Sequence, residues 1–164
     1  VMGVILAAGN STRMGKDNKL LKNVGDAPLI RNTAIEMLKS DLDTCCIVLG
    51  YQSDKVADVI KDLNVNLILN PLWKEGQASS LRAAINTLDS TYSDLLIMLG
   101  DLPGIKSSHI NSIIEEHLLT DNRKSKITIP SFKGQKGNPV IWGRSFFHDL
   151  SNLEGDVGLS LIHI

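Results

Sequence analysis

The sequence predicts a three-layer α/β fold, a mostly parallel but mixed sheet with helices on both faces, and three observations carry that prediction. Four short apolar runs, at Met2–Leu6, Thr44–Leu49, Val65–Leu69 and Leu95–Leu99, have the length of buried strands. Between them lie stretches with apolar residues every three or four positions, and such alternation calls for parallel pairing through right-handed crossovers. KGQKGN, just ahead of PVIW, reads as a hairpin connection, which gives the sheet one antiparallel partner.

Taken in order, the first run empties into a turn of small residues at Ala8, Gly9 and Asn10. PLIRNTAIEMLK then places Leu29, Ile30, Ala34, Met37 and Leu38 on one helical face, with Pro28 suited to the first turn. After TCCIVL, Ser53 is expected to cap a helix carrying Val56, Val59, Ile60 and Leu63. Asn70 and Pro71 end the third strand, and a helix is expected from near Gln77, with Leu81, Ala84, Ile85 and Leu88 inward. GDLPG cuts off the fourth strand. From Ser107 a helix runs through Ile110, Ile113, Ile114 and Leu118, TDNRKSK is read as a solvated turn, and Ile127 to Phe132 as a further strand. A last helix is expected to start after Gly155 or Asp156.

At 164 residues the chain suits one core, so a single domain over residues 1–164 is expected, lacking a C-terminal segment because the last helix stops abruptly. Seventeen basic residues against eighteen acidic ones give no general attraction to nucleic acid or to acidic membranes, and neither is expected as a partner. Cys45 and Cys46 are adjacent in a strand and point to opposite faces, which suits buried thiols rather than a disulfide, in a reducing compartment. Cytoplasm is the expected location. The four histidines show no metal-ligand spacing.

The chemistry starts at the first loop. Small residues at a strand end expose backbone N–H groups that can seat an anion, and Arg13, Lys16 and Lys19 add positive charge, so phosphate is the expected guest. Two common phosphate loops are excluded by spacing. Five residues, not four, separate Gly9 from Gly15, and Asp17 rather than Ser or Thr follows Lys16. No second glycine lies two residues after Gly9, so the dinucleotide fingerprint fails as well. Asp101 follows an apolar strand at its carboxyl end, where open parallel sheets bind ligands, and a lone aspartate there suits a nucleotide-bound magnesium ion.

The stretch LAAGNSTRMGKDNKLL resembles the signature loop of MobA-like nucleotidyltransferases, written LAAG or LAGG, then a basic and small segment ending RMG, then a lysine before LL. NPLWKEGQASS is similar to the family pattern NPxWxxGxxxS, GDLP to its GDxP metal motif, GNPV to its G(N/H)P motif, and GDVG to a later GDxG turn. The resemblance spans nearly the whole chain, is nearest the molybdenum-cofactor cytidylyltransferase branch, and implies a Rossmann-like nucleotidyltransferase fold. It implies a reaction in which a terminal phosphate of an acceptor attacks the α-phosphorus of a nucleoside triphosphate, CTP or GTP, and pyrophosphate departs.

For this chain the resemblance implies Mg2+ on Asp101, Lys19 and Arg13 on the triphosphate, and nucleotide contacts from Leu6, Ala7, Ala8, Gly9, Asn70, Gly76, Ser80 and Gly100. It puts Asn138 and Asp156 on the acceptor side, although Asn138 is also suited to a hairpin turn and Asp156 to a helix N-cap. Trp73 stays outside the site, as a packing residue. Leu159 and Ser160 stand where the family usually carries a basic residue, and no counterpart of its downstream aspartate-rich motif appears. Alanine at position 8, rather than the glycine of LAGG, implies CTP over GTP. The implied acceptor is a phosphorylated pterin, molybdopterin or the molybdenum cofactor, with a molybdoenzyme or its chaperone as a further partner. A sugar-phosphate nucleotidyltransferase and a non-catalytic nucleotide- or pterin-binding module are the alternatives.

Overall fold

Alternating side chains in the apolar runs decide the layers. In a computed structural model, described for residues 1–10 and 17–155, strand β1 (Met2–Ala7) sends Ile5 and Ala7 to one face and Met2, Val4 and Leu6 to the other. β1 pairs in parallel with β4 (Thr44–Leu49) on one side and β6 (Asp94–Leu99) on the other, and β5 (Asn66–Leu69) adds to β4. β10 (Val140–Gly143) runs antiparallel between β6 and the short β7 (Ile127–Thr128). The resulting order is β5-β4-β1-β6-β10-β7, a mixed sheet with β10 as its antiparallel member.

Helices cover both faces. Helices α1 (Leu29–Leu38), α2 (Ser53–Asp58) and α4 (Ser107–Leu119) bury Ile30, Ala34, Met37, Val56, Ile110 and Ile114, with Ile60 just past α2, on the face that carries Ile47 and Met98. Helices α3 (Gln77–Ile85) and α5 (Phe147–Ser151) bury Leu81, Ala84, Phe147 and Leu150 on the face of Val48 and Ile97. Fully burying one such aliphatic or aromatic side chain is worth roughly 1.5–3 kcal/mol. The central strands β1, β4 and β6 therefore anchor both layers. Cys45 and Cys46 fall on opposite faces as free, buried thiols, and burial pushes the Cys45 thiol up to about 11.

Four expectations need correction. The strand from Ile127 to Phe132 is two pieces, because Pro130 offers no N–H to a ladder; Ser131–Phe132 (β8) instead folds onto Gln135–Lys136 (β9) through Lys133 and Gly134, both left-handed. Ser53 does not cap α2. It is the first helical residue, preceded by Gln52 in a left-handed conformation, and Val59, Ile60 and Leu63 follow the helix in hydrogen-bonded turns. On α4, Leu118 is exposed and His117 is wholly buried in its place. TDNRKSK is not all solvated surface, since Arg123 reaches back from it to Asp94. A two-stranded hairpin, β2 (Asn23–Val24) with β3 (Ala27–Pro28), was not anticipated. The expected helix after Gly155 lies outside the described residues, which contain no helix long and apolar enough to cross a membrane.

His117 is admitted to the core because both ring nitrogens find partners. Its Nε2 lies 3.1 Å from Asp94 Oδ1 and its Nδ1 lies 2.7 Å from Thr128 Oγ1. Asp94, 1% exposed, also accepts hydrogen bonds from Ser93 Oγ (2.7 Å) and Arg123 Nε (3.1 Å). Burial alone would raise its carboxyl. The hydrogen bonds from Ser93, His117 and Arg123 outweigh that and hold it below the usual carboxylate range. This network closes the amino-terminal end of β6, opposite the end that carries Asp101.

Candidate active site

The parallel strands leave their backbone carbonyls and connecting loops at one edge, and there a cleft of about 590 Å3 opens. Its walls are the end of β1 and the following turn (Leu6–Asn10), Leu20, the segment Trp73–Gln77 with Ser80, and Leu99–Asp101 at the end of β6. Of the residues expected to bind nucleotide, Leu6, Ala7, Ala8, Gly9, Gly76, Ser80 and Gly100 line this cleft. Asp101 lines it too. Arg13, Lys16 and Asp156 lie outside the described residues.

Lys19 does not itself line the cleft but is brought beside it by a short 3-10 turn, Lys19–Leu21, whose first N–H groups are capped by Asn18: its Oδ1 accepts from Leu20 N (3.0 Å) and its carbonyl from Leu21 N (3.0 Å). Leu20 tucks beneath Gly100, where a Cβ would stand 3.2 Å from Leu20 Cδ2, Ile30 Cδ1 and Leu6 O, so glycine permits the two loops to meet. Gly100 N donates to Leu6 O (3.0 Å), which continues the β1–β6 pairing one step further. Lys19 Nζ then reaches Asp101 Oδ2 at 3.2 Å. The two residues that the sequence assigned to triphosphate and metal thus stand together as an ion pair.

The opposite wall is the start of α3. Gly76, at φ 98° where L side chains are strained, turns the chain from the 3-10 turn Trp73–Glu75 into the helix. Among the described residues no side chain caps α3, although Ala78 N already donates to Gly155 O, and Gly76 and Gln77 at its start line the cleft. Asn70 is not a wall residue. It is buried beneath this segment, where Nδ2 donates to Ser79 Oγ (2.8 Å) and Ser80 Oγ (3.1 Å), and Oδ1 accepts from Leu72 N (3.0 Å). Its amide therefore shapes the helix start rather than facing a ligand.

Trp73, which the sequence reading left outside the site, lines the cleft. Its ring centroid lies 5.4 Å from that of Tyr51, and Tyr51 N donates to Ala8 O (3.0 Å), so Trp73 leans on the same backbone that holds Ala8. A Cβ on Gly50 would fall 2.5 Å from Trp73 Cβ and 2.8 Å from Ala8 Cβ, which leaves glycine as the residue that fits. Glu75, Gln77 and Leu20 also line the cleft and were missed. Their signal was position alone, inside or beside the NPLWKEGQ and KLL stretches.

Of the two residues that the resemblance puts on the acceptor side, Asn138 is among the described residues. Val140 pairs with Ile97, so Asn138 precedes β10 at the same edge of the sheet as Asp101, and its Oδ1 is buried without a hydrogen-bond partner among the described residues. Ahead of Asp156, the chain is held against α3: Arg82 Nη1 donates to Leu153 O (2.6 Å), Ala78 N to Gly155 O (3.3 Å), and Arg82 Nη2 pairs with Glu75 Oε2 (3.0 Å). Among the described residues no group of three His, Cys, Asp or Glu side chains could hold a metal unaided. One half-exposed carboxylate in a cleft that also holds the start of a helix fits a cation that brings its own phosphate ligands.

Sheet order and cleft together define a protein of the doubly covered α/β class with a carboxylate, a lysine and a helix N-terminus converging at the carboxyl edge. The chain belongs to the family of MobA-like NTP transferase domains, whose model matches residues 3–163. It is similar to the bifunctional protein GlmU of Prochlorococcus marinus (strain MIT 9211), 26% identical over 151 residues, which is 92% of this chain and 32% of that protein, so the chain spans about a third of the relative. In solved structures it is similar to the Mycobacterium sp. strain JC1 homolog of Mycobacterium tuberculosis Rv0371c, at 30% identity and a TM-score of 0.83, over 99% of this chain and 79% of that one. Rv0371c of Mycobacterium tuberculosis H37Rv, solved in complex with manganese, shares the fold at 24% identity and a TM-score of 0.81, over 99% of this chain and 82% of that one.

Proposed function

We propose that this chain is a nucleotidyltransferase that moves a nucleoside monophosphate, CMP by preference, from a nucleoside triphosphate to a phosphorylated acceptor and releases pyrophosphate. The observation that carries the reading is the Lys19–Asp101 pair beside a cleft whose other wall is the start of α3. Family membership supports the reaction class. The acceptor proposed is a phosphorylated pterin such as molybdopterin, with a molybdoenzyme or its chaperone as the protein that receives the product.

Asp101 would hold a divalent cation, Mg2+ in this reading; when bound, such an ion supplies charge neutralisation of the phosphates and orients them for attack. The manganese complex of Rv0371c supports a divalent cation as partner. The chain's own part is positioning and charge. Lys19 draws the triphosphate toward the metal carboxylate and balances charge on the departing pyrophosphate, with Arg13 proposed as a second cation. Backbone N–H groups after β1 and at the start of α3 seat the phosphates, and Trp73 walls the nucleoside side of the cleft. Neither a covalent nucleophile nor a strong general base is needed, because the attacking group is already an anionic phosphate.

The test is pyrophosphate release with CTP or GTP, with molybdopterin or a sugar 1-phosphate as acceptor. Turnover with CTP and the pterin is the expected result. Turnover with a sugar phosphate alone replaces the acceptor, and binding without any release reduces the chain to a nucleotide-binding module.

A further inference from the structure

The carboxylate at the tip of β6 sits on a loop, Gly100–Lys106, and a loop must be fixed at its ends before its side chain can hold a metal in one place. Both ends are fixed by one stripe of α1. Ile30 packs beneath Gly100, and Thr33, buried one turn further along, directs Oγ1 at the Gly100 carbonyl (3.3 Å) as well as at Leu29 O (3.0 Å). Another turn along, Glu36 Oε2 accepts a hydrogen bond from Ser107 N (2.9 Å), the first N–H of α4, across 71 positions of sequence. Residues three apart on a helix share a face, so these contacts form a single support. Between the two ends the loop spans a second cleft of about 430 Å3 and meets the core through Leu102 and Ile105, both half-buried.

Glu36 is suited to this work. A carboxylate at a helix N-terminus bonds an otherwise orphaned N–H and complements the helix dipole. Its Oε1 is steadied by Lys39 Nζ at 3.4 Å, and the hydrogen bond from Ser107, against the opposing effect of burial, holds the Glu36 carboxyl below its usual range, with Lys39 and Lys106 adding to it. α1 also carries the other half of the ion pair, since Leu29 N donates to Lys22 O (2.9 Å) just after the turn that presents Lys19.

We propose that Glu36 is a positioning residue for Asp101: by pinning Ser107 it fixes the far end of the loop, as Thr33 fixes the near end, and so sets where the carboxylate meets the metal. This rests on the reading of Asp101 as the metal ligand. The experiment measures Mn2+ held on the protein in the presence of CTP, by the enhancement of the water-proton relaxation rate that protein-bound Mn2+ gives over Mn2+–CTP free in solution, alongside the Mn2+ dependence of pyrophosphate release and the thermal midpoint. Glu36→Ala is expected to raise the half-saturating Mn2+ concentration about 10-fold, the low end of what supporting partners of metal ligands contribute. Its kcat at saturating Mn2+ should stay near wild type. Glu36→Gln, which keeps an acceptor for Ser107 N–H, is expected to restore most of the affinity, and Glu36→Asp, which withdraws the acceptor by one methylene, to resemble Ala. Should Glu36→Ala fail to fold, the Asp and Gln pair decides the matter. An unchanged Mn2+ requirement in folded Glu36→Asp or Glu36→Ala, with or without a lowered midpoint, overturns the proposal. Asp101→Ala separates the two levels: if it binds Mn2+ as wild type does, the metal-ligand reading itself has failed.

Discussion

Lys19 Nζ lies 3.2 Å from Asp101 Oδ2, so the cation read as the triphosphate's partner occupies the carboxylate read as the metal's. Each side chain is 42% exposed, and an ion pair that open to water contributes up to about 1 kcal/mol. That is weak enough for a metal–nucleotide complex to displace, yet enough to keep Asp101 from standing as a bare anion. Lys19→Ala is therefore expected to tighten Mn2+ binding to the nucleotide-free protein by up to about 5-fold and to weaken it, with turnover, once CTP is present. Its loss should be larger for CTP than for CMP if, as proposed, the lysine acts on the outer phosphates. Mn2+ titrations with and without CTP check this. Equal affinity of both proteins for Mn2+ without nucleotide would show that the pair has no bearing on the metal.

Asp94 offers a prediction about stability rather than catalysis. Its carboxyl is held below the usual range in the folded state, so it contributes stability above the unfolded value of about 3.9, and that contribution is lost as pH falls through the lower folded value. Asp94→Asn removes the charge that Arg123 and His117 share, and breaking such a buried pair costs about 3 kcal/mol. Urea unfolding from pH 7 down to pH 3 is expected to show the variant less stable at neutral pH, with the gap narrowing in the most acid samples. A gap that widens on acidification would assign the wrong sign to Asp94.

Asn70 separates binding from architecture. The family resemblance implied a nucleotide contact, but its amide is spent on Ser79, Ser80 and Leu72. Asn70→Ala orphans buried groups and should lower stability by about 1–3 kcal/mol, with KM for CTP rising only as far as the start of α3 loosens. Unfolding midpoints and KM are measured together. A large rise in KM with stability unchanged would return Asn70 to the list of direct contacts.

How much of this was legible in the sequence follows from range. β1, β4 and β6 were readable because a buried strand needs only a local apolar run, and α1, α3 and α4 because helical spacing is local too. The Gly100–Asp101 corner was placed by the end of such a run. What escaped depends on pairings far apart in the chain. Lys19 meets Asp101 over 82 positions and Glu36 meets Ser107 over 71, and no spacing rule links them. His117 was read only as a histidine without metal-ligand spacing, because a histidine enters the core only when both nitrogens are met, here by Thr128 and Asp94 from two different strands. Pro130 was a local signal that the sequence reading passed over.

Base choice turns on Ala8, Gly50 and Trp73. The resemblance implied that the Ala8 methyl crowds a purine directly, yet that residue is only 3% exposed, and its methyl sits toward Gly50, against which Trp73 is also packed. Ala8 and Trp73 both border Gly50, so the methyl is expected to act on the base through the seat of the indole that lines the cleft. A preference for CTP over GTP is still expected, but of modest size, since one methylene-sized difference in a pocket is worth roughly 10- to 200-fold. Ala8→Gly should narrow the ratio of kcat/KM for CTP and GTP by letting Trp73 settle deeper, and Trp73→Ala should narrow it further while raising KM for both nucleotides. Gly50→Ala tests the seat itself: its added Cβ must displace Trp73 or the Ala8 backbone, and kcat/KM is expected to fall for CTP and GTP alike. The comparison is made with one acceptor across all four proteins. If wild type favours GTP, the preference read from Ala8 is wrong. If Ala8→Gly shifts the ratio while Trp73→Ala does not, the methyl acts on the base directly and the indole is only a packing residue.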